Sequence, residues 1–187
     1  MRAATSLISR ASQARGLKAF FSPRQRLDPS DDQLVHPPAE PVLPEAARGK
    51  QVLIVDDDPI MLKTASLKLE SKGFKVSTAT DGAGAIQTAR QGQPDLILLD
   101  LNFPPGVAGV PWTGHLIMSW LRRMSESKDI PVIIVTGKGY PQDKERSLAA
   151  GALGFFEKPV DYNSLLAAVG QGVCAKVPAK ANAEFQI

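Results

Sequence analysis

The stretch Pro94-Asp-Leu-Ile-Leu-Leu-Asp100 decides the fold, because a short unbroken run of large aliphatic residues ends there in a carboxylate. Four aliphatic residues between a proline and a turn are too few for a helix and are typical of a strand buried on both faces. The residue after such a strand lies at the carboxyl edge of a parallel sheet, where open α/β folds bind their ligands. We therefore expect Asp100 to be displayed at a functional edge.

Four further apolar runs alternate with helical patterns on either side of this stretch, at residues 52–55, 74–79, 131–136 and 153–158. The helices between them are predicted from their apolar spacing and from the capping residues Asp58, Asp81, Thr113 and Asp161. Strands that alternate with helices in this way form a parallel sheet with right-handed crossovers and helices on both faces. The predicted fold class is therefore a doubly wound α/β domain with five strands.

Composition divides the 187 residues into four predicted segments. Residues 1–27 are basic and are expected to form a disordered tail, with organellar targeting or nucleic-acid contact as less favoured interpretations. Residues 28–49 contain five prolines and are expected to form an extended linker. The periodic patterns predict one domain at residues 50–176, followed by a frayed tail at residues 177–187.

Cysteine content and hydrophobicity exclude several kinds of protein. The single cysteine, Cys174, allows neither an intramolecular disulfide nor a cysteine-based zinc site. No apolar run has the length that a membrane-spanning helix needs, and the hydrophobic fraction of 43% is typical of globular proteins. We therefore expect a water-soluble, cytoplasmic protein.

The predicted strand ends carry a set of residues with related chemistry. Asp56 and Asp57 follow the first strand, Asp100 the third, and Thr136 and Lys158 end the fourth and fifth. Three carboxylates at one edge repel one another, and a hard divalent cation such as Mg²⁺ relieves that repulsion. With a metal and a lysine drawing charge from an incoming phosphoryl group, one carboxylate can act as the nucleophile, and Thr136 can donate its hydroxyl to the new phosphoryl oxygens.

Four motifs occur in the chain in a familiar order: VLIVDDDP at 52–59, PDLILLD at 94–100, PVIIVTG at 131–137 and GALGFFEKP at 151–159. They resemble the motifs of the receiver domain of two-component response regulators, in the CheY-like superfamily. The resemblance covers nearly all of the predicted domain and implies a flavodoxin-like fold with strand order 2-1-3-4-5. It also implies that Asp100 is phosphorylated by a histidine kinase or a histidine phosphotransfer protein.

The same resemblance implies the composition of a Mg²⁺ site. By its motifs, Asp57, Asp100 and the backbone carbonyl of Asn102 bind the metal directly, and Asp56 binds it mainly through water. Lys158 and Thr136 then complete the catalytic set around Asp100.

A signalling mechanism is implied as well. Thr136 and Phe155 match the switch pair of the family, in which the hydroxyl moves toward the phosphate and the aromatic ring turns inward. The fourth helix, fifth strand and fifth helix would form the surface that contacts a downstream protein. No output domain is recognised before residue 50 or after residue 176, so we expect a stand-alone receiver without direct DNA binding.

The chain departs from the family pattern after Asp100. Residues 101–113 form a longer connection than usual, with Gly114 as the apparent glycine before the next helix, and they carry Trp112 near the phosphorylation site. We expect this tryptophan to pack on the third helix. The alternatives are an anchor for a partner and a shield that limits water access to the phosphorylated aspartate.

Three other functions are alternatives to the receiver interpretation. A phosphohydrolase of the haloacid-dehalogenase type also uses a strand-end aspartate and Mg²⁺, but it needs a second aspartate at the position of Asn102. A nucleotide-binding module would need glycines and a lysine where Asp56 and Asp57 stand. A scaffold that acts without phosphorylation would tolerate the loss of the Asp100 carboxylate. We expect no enzymatic activity beyond the chain's own phosphorylation and dephosphorylation.

Overall fold

A computed structural model describes residues 41–104, 112–137 and 141–175. The predicted tails at 1–27 and 177–187, most of the predicted linker and the middle of the 101–113 connection lie outside the described residues. Within the described part, none of the helices combines the length and apolar character that crossing a bilayer requires.

The centre of the domain is a parallel sheet with the strand order β2-β1-β3-β4-β5. Its strands are β1 (Gln51–Val55), β2 (Lys75–Ala79), β3 (Leu96–Leu99), β4 (Val132–Thr136) and β5 (Gly154–Glu157). The predicted fold class and strand order are thereby confirmed. In the sheet register Val55 pairs with Leu99, so the residues that follow these two strands emerge side by side.

Helices cover both faces of this sheet. They are α1 (Pro59–Glu70), α2 (Gly82–Gly92), α3 (Gly114–Arg123), α4 (Pro141–Ala149) and α5 (Tyr162–Gly172). The four predicted caps are observed: each side chain accepts a backbone N–H from the first turn of its helix, at Asp58, Asp81, Thr113 and Asp161. These hydrogen bonds satisfy donors that the helix itself leaves unpaired.

The core consists of two apolar clusters, one on each side of the sheet. Alternate residues of β1 face opposite sides: Val52 and Ile54 pack with α1 and α5, whereas Leu53 and Val55 pack with α2 and α3. This arrangement explains why the inner strands are apolar except for Gln51 at the start of β1 and Thr136 at the end of β4, as expected for a sheet covered on both faces.

The end of the predicted linker is part of the packed domain. Residues Glu45–Ala47 form a 3₁₀ turn, Ala47 is buried, and Leu43 packs against the cluster beneath α1 and α5. A Cβ atom on Gly170 of α5 would lie only 2.7 Å from Leu43 Cδ2. The expectation of an extended linker through residue 49 therefore fails for these residues, because the prolines hid two apolar side chains that reach the core.

Candidate functional site

Three carboxylates converge at the carboxyl edge of the sheet. Asp56, Asp57 and Asp100 each contribute an oxygen to a set whose members all lie within 4.8 Å of one another. Asp56 and Asp100 are buried, while Asp57 is exposed. The strand register accounts for this proximity, because the backbone N–H of Asp100 donates to the carbonyl of Val55 at 2.9 Å.

Lys158 supplies the positive charge within this cluster. Its Nζ donates to Asp56 Oδ2 at 2.6 Å and to Asp100 Oδ2 at 2.7 Å. The end of β5 holds the lysine in place, since its backbone N–H donates to the carbonyl of Thr136. Burial lowers the pKa of Lys158, but the hydrogen bonds to the two carboxylates outweigh burial and raise it. Lys158 is therefore protonated at neutral pH and bridges the two buried acids.

The donor set fits a hard divalent cation. One ammonium group cannot neutralise three carboxylates. Burial raises the pKa of Asp56 although Lys158 acts to lower it, so the lysine only partly compensates the ionised form of this buried acid. Negative charge thus remains on a set of converging oxygen atoms, one of which belongs to the exposed Asp57. Oxygen ligands that leave room for water are typical of Mg²⁺ sites.

Asn102 lies against this cluster in a way that the motifs did not indicate. Its backbone N–H donates to Asp100 Oδ1 at 3.1 Å, and its side-chain Nδ2 donates to Thr136 Oγ1 at 3.0 Å. Thr136 is fully buried, and this contact connects its hydroxyl to the turn that carries Asp100. Only the amide side chain two residues after Asp100 could have hinted at the interaction.

The second predicted switch residue, Phe155, lies in the neighbouring strand β5. It pairs with Ile134 of β4, whereas Thr136 pairs with Glu157. The Phe155 ring is half-buried and packs against the cluster beneath α2 and α3. The structure therefore sets the two residues on adjacent strands, two register positions apart.

The connection after Asp100 is tied at its base. Asn102 and Thr113 form an antiparallel β-bridge, and the N–H of Gly114 donates to the carbonyl of Leu101 at 2.9 Å. A Cβ on Gly114 would collide with the carbonyl oxygen of Asp100 and lie 2.7 Å from Leu101 Cα. The glycine at the start of α3 is therefore required because helix and connection approach without room for a side chain.

Trp112 packs on the first residue of α2. A Cβ built on the buried Gly82 would lie 2.8 Å from Trp112 Cγ and closer still to Cδ2 and Cε3. We expected this indole to pack on the third helix. The close contact with Gly82 places its ring against the second helix. Trp112 and Trp120 also line a groove of about 590 Å³ along α2.

A polar contact joins α3 to α4. His115 Nε2 lies 3.1 Å from Oγ of the buried Ser147. Burial lowers the pKa of His115, the charge of Arg146 lowers it further, and Asp143 acts in the opposite direction. No local sequence pattern predicts this pair, because the two residues lie 32 positions apart.

Comparison with known proteins shows the same domain. Residues 52–170 match the family described as the response regulator receiver domain. The chain is 39% identical over 119 residues to the DNA-binding dual master transcriptional regulator RpaA of Synechocystis, covering 64% of this chain and 47% of RpaA. It is 32% identical over 121 residues to the phosphate regulon transcriptional regulatory protein PhoB of Escherichia coli K12, covering 65% and 50% of the two chains. The chain thus spans about half the length of these relatives.

Solved structures give the same result. Chemotaxis protein CheY4 of Vibrio cholerae superposes with a TM-score of 0.59 at 31% identity, covering 66% of this chain and 98% of CheY4. The receiver domain of sensor histidine kinase PA1611 from Pseudomonas aeruginosa, solved with magnesium in its active-site cleft, gives 0.60 at 25% identity, covering 68% and 99%. Together with the strand-end acids and the bridging lysine, these matches establish that the chain belongs to the response regulator receiver domain family.

Proposed function

We propose that Asp100 accepts a phosphoryl group from a histidine kinase or a histidine phosphotransfer protein in a Mg²⁺-dependent reaction. The observation that carries this proposal is the bridge made by Lys158, which binds Asp100 and Asp56 at 2.7 and 2.6 Å beside a third carboxylate. In the reaction an Asp100 oxygen forms the new bond to phosphorus, and the bond from phosphorus to the donor's imidazole nitrogen breaks. The released imidazole takes up a proton.

Each neighbouring residue has a proposed part in this transfer. Asp57, Asp100 and the backbone carbonyl of Asn102 would hold Mg²⁺ directly, and Asp56 would hold it mainly through water. When bound, Mg²⁺ withdraws charge from phosphoryl oxygens. Lys158, whose ammonium already donates to Asp100 Oδ2 at 2.7 Å, would neutralise further charge on the phosphoryl group.

Thr136 is proposed to report the phosphorylated state together with Phe155. Its hydroxyl accepts a hydrogen bond from Asn102 and can still donate its own proton to a phosphoryl oxygen. Movement of Thr136 would leave space into which the half-buried ring of Phe155 could turn. Such a two-state element needs only a few kcal/mol of differential binding to change its population.

The proposed output is a contact with another protein through α4, β5 and α5. Large apolar side chains are exposed there, with Leu148 of α4 at 44% and Leu153 before β5 at 48%. Clustered exposed apolar residues are typical of protein-binding surfaces. We propose that this chain signals through such a contact and catalyses only its own phosphorylation and dephosphorylation. The engagement of Asn102 with Thr136 argues against a haloacid-dehalogenase type of hydrolase, which needs an aspartate there.

The test is incubation with MgCl₂ and a small phosphodonor such as acetyl phosphate, followed by intact-mass analysis. We expect one phosphoryl adduct on the wild-type chain and none on Asp100→Asn. Asp95→Asn, which alters a carboxylate at the opposite end of β3, is the matched control and should be labelled like the wild type. An adduct that persists in Asp100→Asn, or no adduct on the wild type, would contradict the proposal.

A further inference from the structure

We propose that Trp112 is a positioning residue for the phosphorylation site and that it acts through its packing against Gly82. We call this contact between the indole ring and the first residue of α2 the Trp112–Gly82 seat. The inference rests on the proposed function, since its readout is Mg²⁺ binding beside Asp100. Trp112 belongs to the long connection that distinguishes this chain, so the seat adds to the residues that the family motifs supply.

The seat is a contact so close that any side chain at position 82 would have to displace the indole. The indole covers Gly82 so closely that a Cβ there would lie 2.8 Å from Cγ and closer to two further ring atoms. Gly84, one half-turn along α2, provides a contrast because its Cβ would make ordinary contacts at 3.5 Å or more. The missing side chain at position 82 is therefore a specific fit to Trp112 rather than a general property of this helix start.

On one side, the seat connects directly to Asp100. Trp112 precedes Thr113, which forms the β-bridge with Asn102. Asn102 in turn donates its backbone N–H to Asp100 Oδ1 and its side-chain amide to Thr136. A displacement of the indole that shifts the backbone of Trp112 is therefore transmitted through the bridge at Thr113 to the turn that carries Asp100.

On the other side, the seat connects to Asp56. Gly82 begins α2 shortly after β2, and the last residue of that strand, Ala79, accepts the backbone N–H of Asp56 at 3.1 Å. The seat thus joins the backbone segments that hold the acids from β1 and β3. A rigid contact between those segments fixes the distance between carboxylates that must share one cation, which is how supporting residues tune metal sites.

The first experiment tests whether the effect of Gly82→Ala on the urea midpoint of unfolding changes sign when the Trp112 side chain is removed. Gly82→Ala should lower the urea midpoint of unfolding in the wild-type background, because the new methyl group displaces the indole. In a Trp112→Ala background the same substitution should raise the midpoint, since alanine is the better helix former once the space is free. Gly84→Ala, the matched control, should act identically in both backgrounds. If Gly82→Ala changes the urea midpoint equally in the two backgrounds, the inferred fit between Trp112 and Gly82 is wrong.

The second experiment tests positioning rather than stability, by titrating folded protein with MgCl₂ in a calorimeter. Trp112→Ala and Gly82→Ala should each weaken Mg²⁺ binding by about tenfold, the usual cost of losing a supporting contact. Trp112→Phe should recover most of the affinity. Trp120→Ala, which removes the other tryptophan of the same groove, should bind like the wild type.

The outcomes separate this inference from the proposed function. Equal Mg²⁺ affinity in the wild type, Trp112→Ala and Gly82→Ala would overturn the positioning role and leave the proposed function intact. Failure of the wild-type chain to bind Mg²⁺ would contradict both. Circular dichroism at the titration temperature shows that each variant is folded, and Trp112→Phe provides a milder change should Gly82→Ala unfold.

Discussion

The two connections that deliver carboxylates to the site are built in different ways. The β1–α1 connection needs only three residues: the N–H of Asp58 donates to Asp56 Oδ1 at 3.0 Å, and Asp58 in turn caps α1. The β3–α3 connection spans residues 100–113, is closed by the bridge between Asn102 and Thr113, and rests on α2 through the Trp112–Gly82 seat. The turn between β1 and α1 is therefore closed by hydrogen bonds between neighbouring residues, whereas the connection after β3 packs against a distant helix.

The difference predicts how far a perturbation spreads. A change at Asp58 in the short connection should have a local cost, because the hydrogen bonds of Asp58 lie within a few residues. A change in the long connection should move the site as a whole, because its contacts reach α2, β4 and the backbone of Asp100. The following variants test this contrast.

The largest effect is expected from Gly114→Ala at the base of the long connection. The new Cβ would meet the carbonyl oxygen of Asp100 and Leu101 Cα, which are backbone atoms that cannot rotate away. Forcing atoms into a packed site costs up to about 3 kcal/mol, measured here as the free energy of unfolding in urea. Gly92→Ala, at the open end of α2, is the control and should be neutral or slightly stabilising. Equal free energies of unfolding for Gly114→Ala and Gly92→Ala would contradict the close approach of Gly114 to the backbone of Asp100 and Leu101.

Magnesium should stabilise the wild-type chain next most strongly. A ligand at one hundred times its dissociation constant adds about 2.7 kcal/mol to the free energy of unfolding. Removing one acid from either connection, with Asp57→Asn or Asp100→Asn, should abolish most of this gain, because both acids share the cluster. Thermal unfolding with and without MgCl₂ measures the effect, and a gain retained in both variants would exclude a metal site at these acids.

A smaller loss is expected from Asp58→Ala in the short connection. Its side chain accepts the N–H of Ile60 at 2.8 Å, and loss of such a cap costs about 1 kcal/mol. Because the effect is local, Mg²⁺ affinity measured by calorimetry should change much less than in Trp112→Ala. A comparable loss of Mg²⁺ affinity would remove the distinction between the two connections.

The smallest effect is a pH dependence confined to the helix after the long connection. The second residue of α3 is His115, whereas the second residue of α1 is Ile60, which does not titrate. Burial, aided by Arg146 of α4 and opposed by Asp143 of the same helix, lowers the pKa of His115 in the folded chain. The unfolded chain therefore binds this proton more readily.

The sign of the pH effect follows from this difference. The stabilising contribution of neutral His115 is present above the unfolded pKa of about 6.5 and is lost as the pH falls through the lower folded-state value. Urea unfolding at pH 7.5 and at pH 5 measures the loss, and His115→Gln should reduce the difference between them. An unchanged pH dependence in this variant would assign the effect to other groups.

The sequence predicted the short connection well because its information is local. A buried strand followed by Asp56, Asp57, Asp58 and Pro59 indicates both an acid pair at the edge of the sheet and a capped helix, and both are present. The convergence of the acids with Lys158 could be predicted from topology alone, since parallel strands end at one edge.

The remaining contacts could not be predicted because they join residues without any shared local pattern. The seat of Trp112 on Gly82 depends on how a loop folds back on a helix 30 residues earlier in the chain. The hydrogen bond from Asn102 to Thr136 crosses 34 positions in the same way. The inclusion of Leu43 in the domain was hidden by neighbouring prolines, which signal extended chain regardless of what their apolar neighbours contact.

The contact between Leu43 and Gly170 has a practical consequence for where this receiver begins. Helix α5 lacks a side chain at position 170, and a residue from before the first strand fills that gap. We propose that a fragment starting at residue 50 would leave an unfilled notch in α5, one of the elements of the proposed output surface. Removing Leu43 should therefore reduce the stability of the domain on the α5 side of the sheet, away from the carboxylates at its carboxyl edge.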